Sequence, residues 1–174
     1  MILPAPCVPC FNPDLSRPKP DSILALALQF ESVTTGDFES LLAIRTAAMR
    51  PSLEHLGRFD PARSRERLQR LFFPDHTQFI LHDQQRVGFF TFRPVDEHLR
   101  LEHLYVLPAH QSIGVGSTVL RSLITQADTA NRAIELCALI QSASNQFYQR
   151  HGFVAQSEDD WNVNYRREPT RPQT

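Results

Sequence analysis

The stretch Leu104-Tyr-Val-Leu-Pro-Ala-His-Gln-Ser-Ile-Gly-Val-Gly-Ser117 joins an apolar, strand-like run to an amphipathic helix through a proline and two glycines. Glycine lets the backbone approach a ligand without a Cβ in the way. The first turn of the following helix offers unpaired N–H groups at the positive end of the helix dipole. The stretch therefore predicts a turn that binds an anion, with a plain strand-to-helix connection as the alternative.

The spacing of this turn excludes two common phosphate-binding motifs. Gln111-Ser-Ile-Gly-Val-Gly116 lacks the Lys-Ser/Thr ending of the P-loop, and its glycines do not follow GxGxxG. It resembles instead the Gln/Arg-x-x-Gly-x-Gly/Ala motif of the GNAT superfamily of N-acetyltransferases. In that family the loop holds the pyrophosphate of acetyl-coenzyme A, so the resemblance implies acetyl-CoA as co-substrate.

Length and composition predict one domain. The chain has 174 residues, 41% of them hydrophobic, which is enough for a single core. We expect the domain to span residues 22–168, after a proline-rich, poorly ordered arm at residues 1–21 and before a flexible end at residues 169–174. The formal net charge of −1 gives no strong field for nucleic acid or an anionic membrane, so neither is a predicted partner.

The cysteines and the N-terminal sequence predict a reducing compartment. Three cysteines are too few for a disulfide framework, and no zinc-ligand set accompanies Cys7-Val-Pro-Cys10. A redox role for that pair is the alternative to an unstructured tail. The N-terminal prolines are incompatible with a signal peptide, and no apolar run approaches the roughly 20 residues that span a bilayer. We therefore expect a cytoplasmic protein without a metal site.

Hydrophobic periodicity and turn residues predict elements in the order βααβββαβαββ. Pro51 is predicted to stop or kink the first helix, and His82-Asp-Gln-Gln85 is predicted to turn a hairpin. The predicted strands are 24–33, 77–81, 86–92, 99–107, 133–140, 153–156 and 163–166. The predicted helices begin near residue 38, at residue 61, after the glycine turn and at residue 142.

This order is similar to that of the GNAT fold. The resemblance implies an α+β fold, with a mixed, mostly antiparallel sheet that splays between its fourth and fifth strands and is flanked by about four helices. In the family the coenzyme enters that gap, which here lies between residues 99–107 and 133–140.

The resemblance also implies the residues that bind the coenzyme. The main chain of the fourth strand would hold the pantetheine arm, the glycine turn would hold the pyrophosphate, and the Val106 amide would face the developing oxyanion. The implied binding residues are Leu104, Tyr105, Val106, Gln111, Ser112, Ile113, Gly114, Val115, Gly116, Ser117 and Gln141. Gln141 stands where the family has asparagine, which puts its contact with the coenzyme in question.

A second motif predicts the general acid. Gln141-Ser-Ala-Ser-Asn-Gln-Phe-Tyr-Gln-Arg-His-Gly-Phe153 resembles the family's Asn-x-x-Ala-x-x-aromatic/Leu-Tyr-x-x-x-Gly-Phe ending, although Ser144 replaces its alanine. The resemblance implies that Tyr148 returns a proton to the departing thiolate. The alternative is a tyrosine that only packs under the sheet.

The general base is predicted on the fourth strand. Family members with a base there place it four or six residues before the valine, which corresponds to Glu102 or Arg100, and only Glu102 can accept a proton. Strict alternation would place Arg100, Glu102 and Leu104 on one face and His103 on the other. An exposed glutamate paired with an arginine is the alternative for Glu102, and His103 is the fallback base, ahead of His98 and His151.

These features predict an N-acetyltransferase that transfers acetyl from acetyl-CoA to a primary amine by direct attack in a ternary complex. The acceptor would be a small molecule or a peptide, and the protein a monomer or homodimer. Arginines within residues 45–60 could hold a carboxylate of the acceptor, or could be ordinary surface residues. A non-catalytic acyl-CoA sensor of the same fold and an unrelated nucleotide-binding protein are the rival interpretations.

Overall fold

A computed structural model describes residues 27–170 of the chain. The Cys7–Cys10 pair, the proline-rich arm and the first residues of the predicted first strand lie outside this range, as do residues 171–174. The strands are β1 (Leu28–Ser32), β2 (Thr77–His82), β3 (Gln85–Val95), β4 (His98–Val106), β5 (Ala133–Leu139), β6 (Val154–Glu158) and β7 (Asn162–Arg167). The helices are α1 (Phe38–His55), α2 (Pro61–Arg70), α3 (Val115–Thr129) and α4 (Ser144–Arg150), in the predicted order.

One sheet of seven strands, in the order β1-β2-β3-β4-β5-β7-β6, carries the fold. The pairs are antiparallel except β4 with β5, which run parallel. That parallel pairing begins at His98 and Ala133 and ends at Leu101 and Leu136. Because both strands continue beyond it, β4 and β5 diverge and leave a wedge-shaped gap at their carboxyl ends. The predicted splay between the fourth and fifth strands is therefore confirmed.

Two hydrophobic cores lie on opposite faces of the sheet. The larger core packs α3 and α4 against the sheet and includes Val106, Val119 and Tyr148. The smaller core packs α1 and α2 against β2 and β3 and includes Leu41, Leu68 and Phe89. The gap between β4 and β5 is thus bordered by α1 and α2 on one side and by α3 and α4 on the other.

The first helix does not stop at Pro51, as the sequence suggested it could, but continues to His55. Proline removes one backbone hydrogen bond from a helix interior, which costs about 3 kcal/mol. Leu53 is buried in the turn that follows, and this burial offsets part of the cost. Packing therefore overrides the local preference of the proline.

Two backbone irregularities shape the central strands. The hairpin between β2 and β3 turns at Asp83 and Gln84, whose φ angles of 50° and 66° are those of a two-residue turn with both residues left-handed. On β4, His103 is opposite Thr91 and Leu101 is opposite Phe92, so Glu102 has no partner residue on β3. Glu102 is therefore the extra residue of a β-bulge.

None of the helices within residues 27–170 is long and apolar enough to cross a membrane.

Candidate active site

The main chain of β4 presents polar groups to the gap. Leu107 N donates to Val87 O at 2.8 Å, so residues 87 and 107 form a hydrogen-bonded pair of the β3–β4 ladder. Antiparallel ladders alternate, and Gly88 is opposite Val106. The N–H and C=O groups of Leu104 and Val106 therefore point away from β3 and toward the gap. Tyr105 pairs with Phe89 of β3 instead, so its main chain is not available for the predicted contact.

The glycine turn leads into the amino end of α3, as predicted. Ser112 and Gly114 adopt φ angles of 65° and 96°, and no atom lies within 4 Å of the position that a Cβ on Gly114 would take. The first helical bond runs from Thr118 N to Gly114 O at 2.9 Å. The N–H groups of the three residues before Thr118 are thus free to bind an anion at the positive end of the helix dipole.

The remaining residues of the turn differ in how they face the site. Gln111 Nε2 donates to Val106 O at 2.8 Å, which anchors the turn to the last residue of β4. Val115 is buried beneath the first turn of α3, whereas Ile113 is about half exposed. Gln141 is exposed and has a φ of 58°, so its left-handed backbone directs the chain from β5 into α4.

An asparagine that the sequence analysis did not single out lies close to Gln141. Asn145 Nδ2 donates to Leu139 O and to Ser142 O, both at 2.9 Å, and so caps the end of β5. Its Oδ1 accepts a hydrogen bond from the Tyr165 hydroxyl at 3.1 Å. Asn145 thereby fixes the connection that positions α4.

Tyr148 lies on the buried face of α4, against the gap. Its ring packs against those of Phe147, Phe153 and Tyr165, with centroids 5.2, 5.8 and 6.3 Å away. Its hydroxyl has no hydrogen-bond partner among residues 27–170. Burial raises the pKa of the Tyr148 phenol, with smaller contributions from Tyr105 of β4 and Cys137 of β5. The phenol therefore keeps its proton at neutral pH and can act as a donor.

Glu102 is placed where the paired part of β4 ends. Its Oε1 accepts hydrogen bonds from Arg93 Nε at 3.1 Å and Nη2 at 2.7 Å. Its Oε2 lies 3.7 Å from Arg100 Nε and accepts no hydrogen bond from residues 27–170. The side chain is 7% exposed, so the interpretation as an exposed edge glutamate is wrong, although an arginine does pair with it. One carboxylate oxygen thus remains available to accept a proton from water.

The bulge corrects the predicted faces of β4. Leu101 packs in the same core as Leu104 and Val106, rather than on the face of His103 as alternation predicted. The partner of Glu102, Arg93, stacks on Phe73 just after α2, at 4.4 Å from the ring centroid. The Glu102 side chain therefore lies on the α1–α2 face, because the extra residue shifts the alternation by one position.

The fallback bases are poorly suited to proton abstraction. His103 is buried, and neither ring nitrogen has a hydrogen-bond partner. Burial, with the nearby guanidinium groups of Arg45 and Arg67, lowers the pKa of His103 to about 3. His98 Nε2 lies 3.3 Å from a carboxylate oxygen of Glu135, and His151 Nδ1 lies 2.8 Å from Phe147 O. None of these imidazoles points free into the gap.

The α1–α2 side of the gap carries Arg63 and Arg67, which the sequence analysis did not assign to the site, and Arg58, which lies in the stretch proposed to hold the acceptor. Arg67 of α2 reaches across to β5, with Nη2 4.0 Å from Cys137 Sγ. Trp161, in the turn between β6 and β7, is stacked between two arginines. Arg58 lies 4.4 Å and Arg63 3.8 Å from its ring centroid. The stack ties the α1–α2 segment to the β6–β7 turn.

Comparison with known proteins matches part of the chain to a family of acetyltransferases. Residues 74–155 match the family model described as an acetyltransferase (GNAT) domain. This range contains β2 to α4, including the gap, the glycine turn and Tyr148. A search of curated protein sequences finds no significant match.

Solved acetyltransferases share the fold. The PaiA N-acetyltransferase from Thermoplasma acidophilum, in complex with coenzyme A, has a TM-score of 0.67 at 13% identity, over 82% of this chain and 99% of that one. An acetyltransferase from Thermus thermophilus has a TM-score of 0.66 at 20% identity, over 83% and 98%. The ribosomal-protein-S18-alanine N-acetyltransferase from Escherichia coli has a TM-score of 0.61 at 14% identity, over 84% and 97%. At these identities the similarity shows the fold, and it confirms the predicted fold class.

Proposed function

We propose that this chain transfers the acetyl group of acetyl-CoA to a primary amine by direct attack in a ternary complex, since residues 74–155 match the acetyltransferase (GNAT) domain model. The observation that carries this proposal is the juxtaposition of two main-chain features. The N–H and C=O groups of Leu104 and the N–H group of Val106 line the gap, and the free amides of α3 begin directly after the turn that ends β4. An extended thioester with a pyrophosphate matches this pairing of a strand edge and an anion-binding turn.

The proposed donor site uses backbone groups. Acetyl-CoA supplies an activated acyl group as a thioester. The N–H and C=O groups of Leu104 would bind the pantetheine amides as an added strand would, and the amides at the start of α3 would bind the pyrophosphate. The Val106 N–H would then face the carbonyl oxygen and stabilise the negative charge that develops there.

Two side chains would move the protons. Glu102, through its free Oε2 and a water molecule, would take the proton of the acceptor amine, since a direct approach is hindered by the arginine bound at Oε1. Tyr148 would protonate the departing thiolate. Its hydroxyl carries a proton at neutral pH and has no competing acceptor among the described residues.

The test is an amine-panel assay that measures release of free thiol from acetyl-CoA, together with a thermal-shift assay for acetyl-CoA binding. We expect turnover with at least one amine and a loss of about 100-fold or more in kcat for Glu102→Gln. Glu158→Gln on the exposed strand β6 is the control for the charge change and should leave kcat unchanged. Acetyl-CoA binding without turnover would favour a non-catalytic sensor, and stabilisation by ATP or NAD alone would favour a nucleotide-binding protein.

We also propose that the enzyme acts in the cytoplasm, as a monomer or homodimer, on a small-molecule or peptide amine.

A further inference from the structure

We propose that the acceptor amine carries an anionic oxygen group, a carboxylate or a phosphate, and that Arg67 binds this group at the mouth of the gap. This inference rests on the proposed acetyl transfer and names the substrate class for that site. It is carried by the unmatched positive charge on the α1–α2 side of the sheet.

Arg67 has no carboxylate partner within residues 27–170. Two other arginines are matched, since Arg65 of the same helix binds Glu39 and Arg93 binds Glu102, whereas Arg63 and Arg70 of the groove form no salt bridge within the described residues. In the same range, the only polar contact of the Arg67 guanidinium is the Cys137 thiol, at 4.0 Å. A guanidinium held half-buried over the sheet thus keeps most of its five donors free.

The Arg67 guanidinium is positioned at the open end of the gap. Cys137, which it contacts, is the first residue of β5 beyond the last pair with β4. Arg67 and Arg63 also line an open groove of about 550 Å³ along α2. The guanidinium carbon of Arg63 lies 3.8 Å from the centroid of the Trp161 ring, which adds a second positive charge to this groove.

A buried positive charge lies behind Arg67. Arg45 is 3% exposed, its side chain is bonded to the Ser64 hydroxyl, and its Nε has no partner. No carboxylate among the described residues pairs with it. His103, beside it, is neutral at physiological pH because burial and the Arg45 charge lower its pKa, so Arg45 carries the charge of this buried pair. An uncompensated charge inside the protein raises the electrostatic potential at the adjacent surface.

The acidic residues near the groove form no salt bridge with Arg67 within residues 27–170, although its charge is the smallest of the effects that lower the pKa of Asp159. Asp60 accepts hydrogen bonds from Ala62 N and Arg63 N, at 2.9 and 3.2 Å, and so caps α2. Asp159 accepts hydrogen bonds from Trp161 N and Asn162 N, at 2.7 and 2.8 Å. Glu66 lines the groove but forms no salt bridge with Arg67. An anion supplied by the acceptor would therefore complete the site.

The experiment compares acceptors that differ only in the anionic group. Amino acids are matched with their C-terminal amides, which tests a carboxylate. O-phosphoethanolamine is matched with ethanolamine, which tests a phosphate. Acetylation is measured as thiol release, and binding to the coenzyme A-loaded protein by calorimetry. The variants are Arg67→Gln and, as the matched control on the same helix, Arg65→Gln, whose side chain is turned toward Glu39.

We expect at least one anionic amine to bind and react better than its neutral partner. Arg67→Gln should raise KM for that acceptor about 10- to 100-fold, the size of one or two charge-assisted hydrogen bonds, without changing KM for acetyl-CoA. Arg65→Gln should leave both values unchanged. The inference is overturned if no anionic amine binds or reacts better than its neutral partner, or if Arg67→Gln affects both partners equally. The proposed function fails separately, if acetyl-CoA neither stabilises the protein nor loses its acetyl group to any amine.

Discussion

Replacing Tyr148 by phenylalanine should separate stability from catalysis. The ring of Tyr148 is buried, but its hydroxyl forms no hydrogen bond with residues 27–170 and is not among the fully buried polar atoms that lack a partner there. Removing the oxygen therefore breaks no hydrogen bond within this range, and we expect the unfolding free energy of Tyr148→Phe to stay within about 0.5 kcal/mol of wild type. Because the proposed proton donor is lost, kcat should fall by about 100- to 10,000-fold.

Tyr165 provides a matched control for this change. Its ring is buried in the same core, but its hydroxyl donates to Asn145 Oδ1 at 3.1 Å and accepts from Gln149 Nε2 at 3.3 Å. Tyr165→Phe should therefore cost about 1 kcal/mol of stability and leave kcat nearly unchanged. The assays are urea denaturation and single-turnover thiol release. A Tyr148→Phe protein that keeps full activity, or one that loses as much stability as Tyr165→Phe, would refute the reasoning.

The sheet geometry and the buried histidine give further predictions. A Cβ on Gly88 would overlap Tyr105 O, so the end of β4 must shift in Gly88→Ala. We expect this variant to lose about 1–3 kcal/mol of unfolding free energy in urea denaturation and to bind acetyl-CoA more weakly. The Cβ of Gly116→Ala would make an ordinary contact with Phe147 at 3.5 Å, so this variant should be neutral or more stable by about 0.5–1 kcal/mol. Equal losses of unfolding free energy in the two variants would contradict the argument. The pKa of His103 falls from 6.5 in the unfolded chain to about 3 in the folded protein, so between these values only the unfolded chain protonates this imidazole. The free energy of unfolding is therefore unaffected by His103 above pH 6.5, and it should decline by about 2 kcal/mol between pH 7 and pH 5. His103→Leu should remove this decline in calorimetric Tm measurements, and a decline that persists in the variant would rule out His103 as its source.

The order of the elements could be predicted because each one has a clear local signal. Alternating apolar residues, capping residues and the Gly114 and Gly116 turn mark where strands and helices begin and end. The family resemblance supplied the splay between β4 and β5, which no periodicity in a single strand encodes. Pro51 shows the limit of local rules, since the helix passes through it where packing of Leu53 compensates.

The orientation of the site residues was harder to predict. The bulge at Glu102 has no local sequence signal, because it arises from the register that β3 imposes on β4. Any prediction of faces from strict alternation therefore goes wrong at that residue. The arginines of α2 look equivalent in the sequence. Only the tertiary fold places Glu39 opposite Arg65 and leaves Arg67 facing Cys137 without a carboxylate among the described residues.

The stack around Trp161 gives this protein an internal optical probe. Trp161 is the one tryptophan of the chain, so its fluorescence can be excited without interference from a second indole. Its ring is held between guanidinium groups of Arg58 and Arg63, whose centres lie 4.4 and 3.8 Å from the ring centroid. Any movement of the α1–α2 segment relative to the β6–β7 turn must change the polarity around the indole. Emission from the unlabelled enzyme should therefore report that movement in real time, during a single turnover.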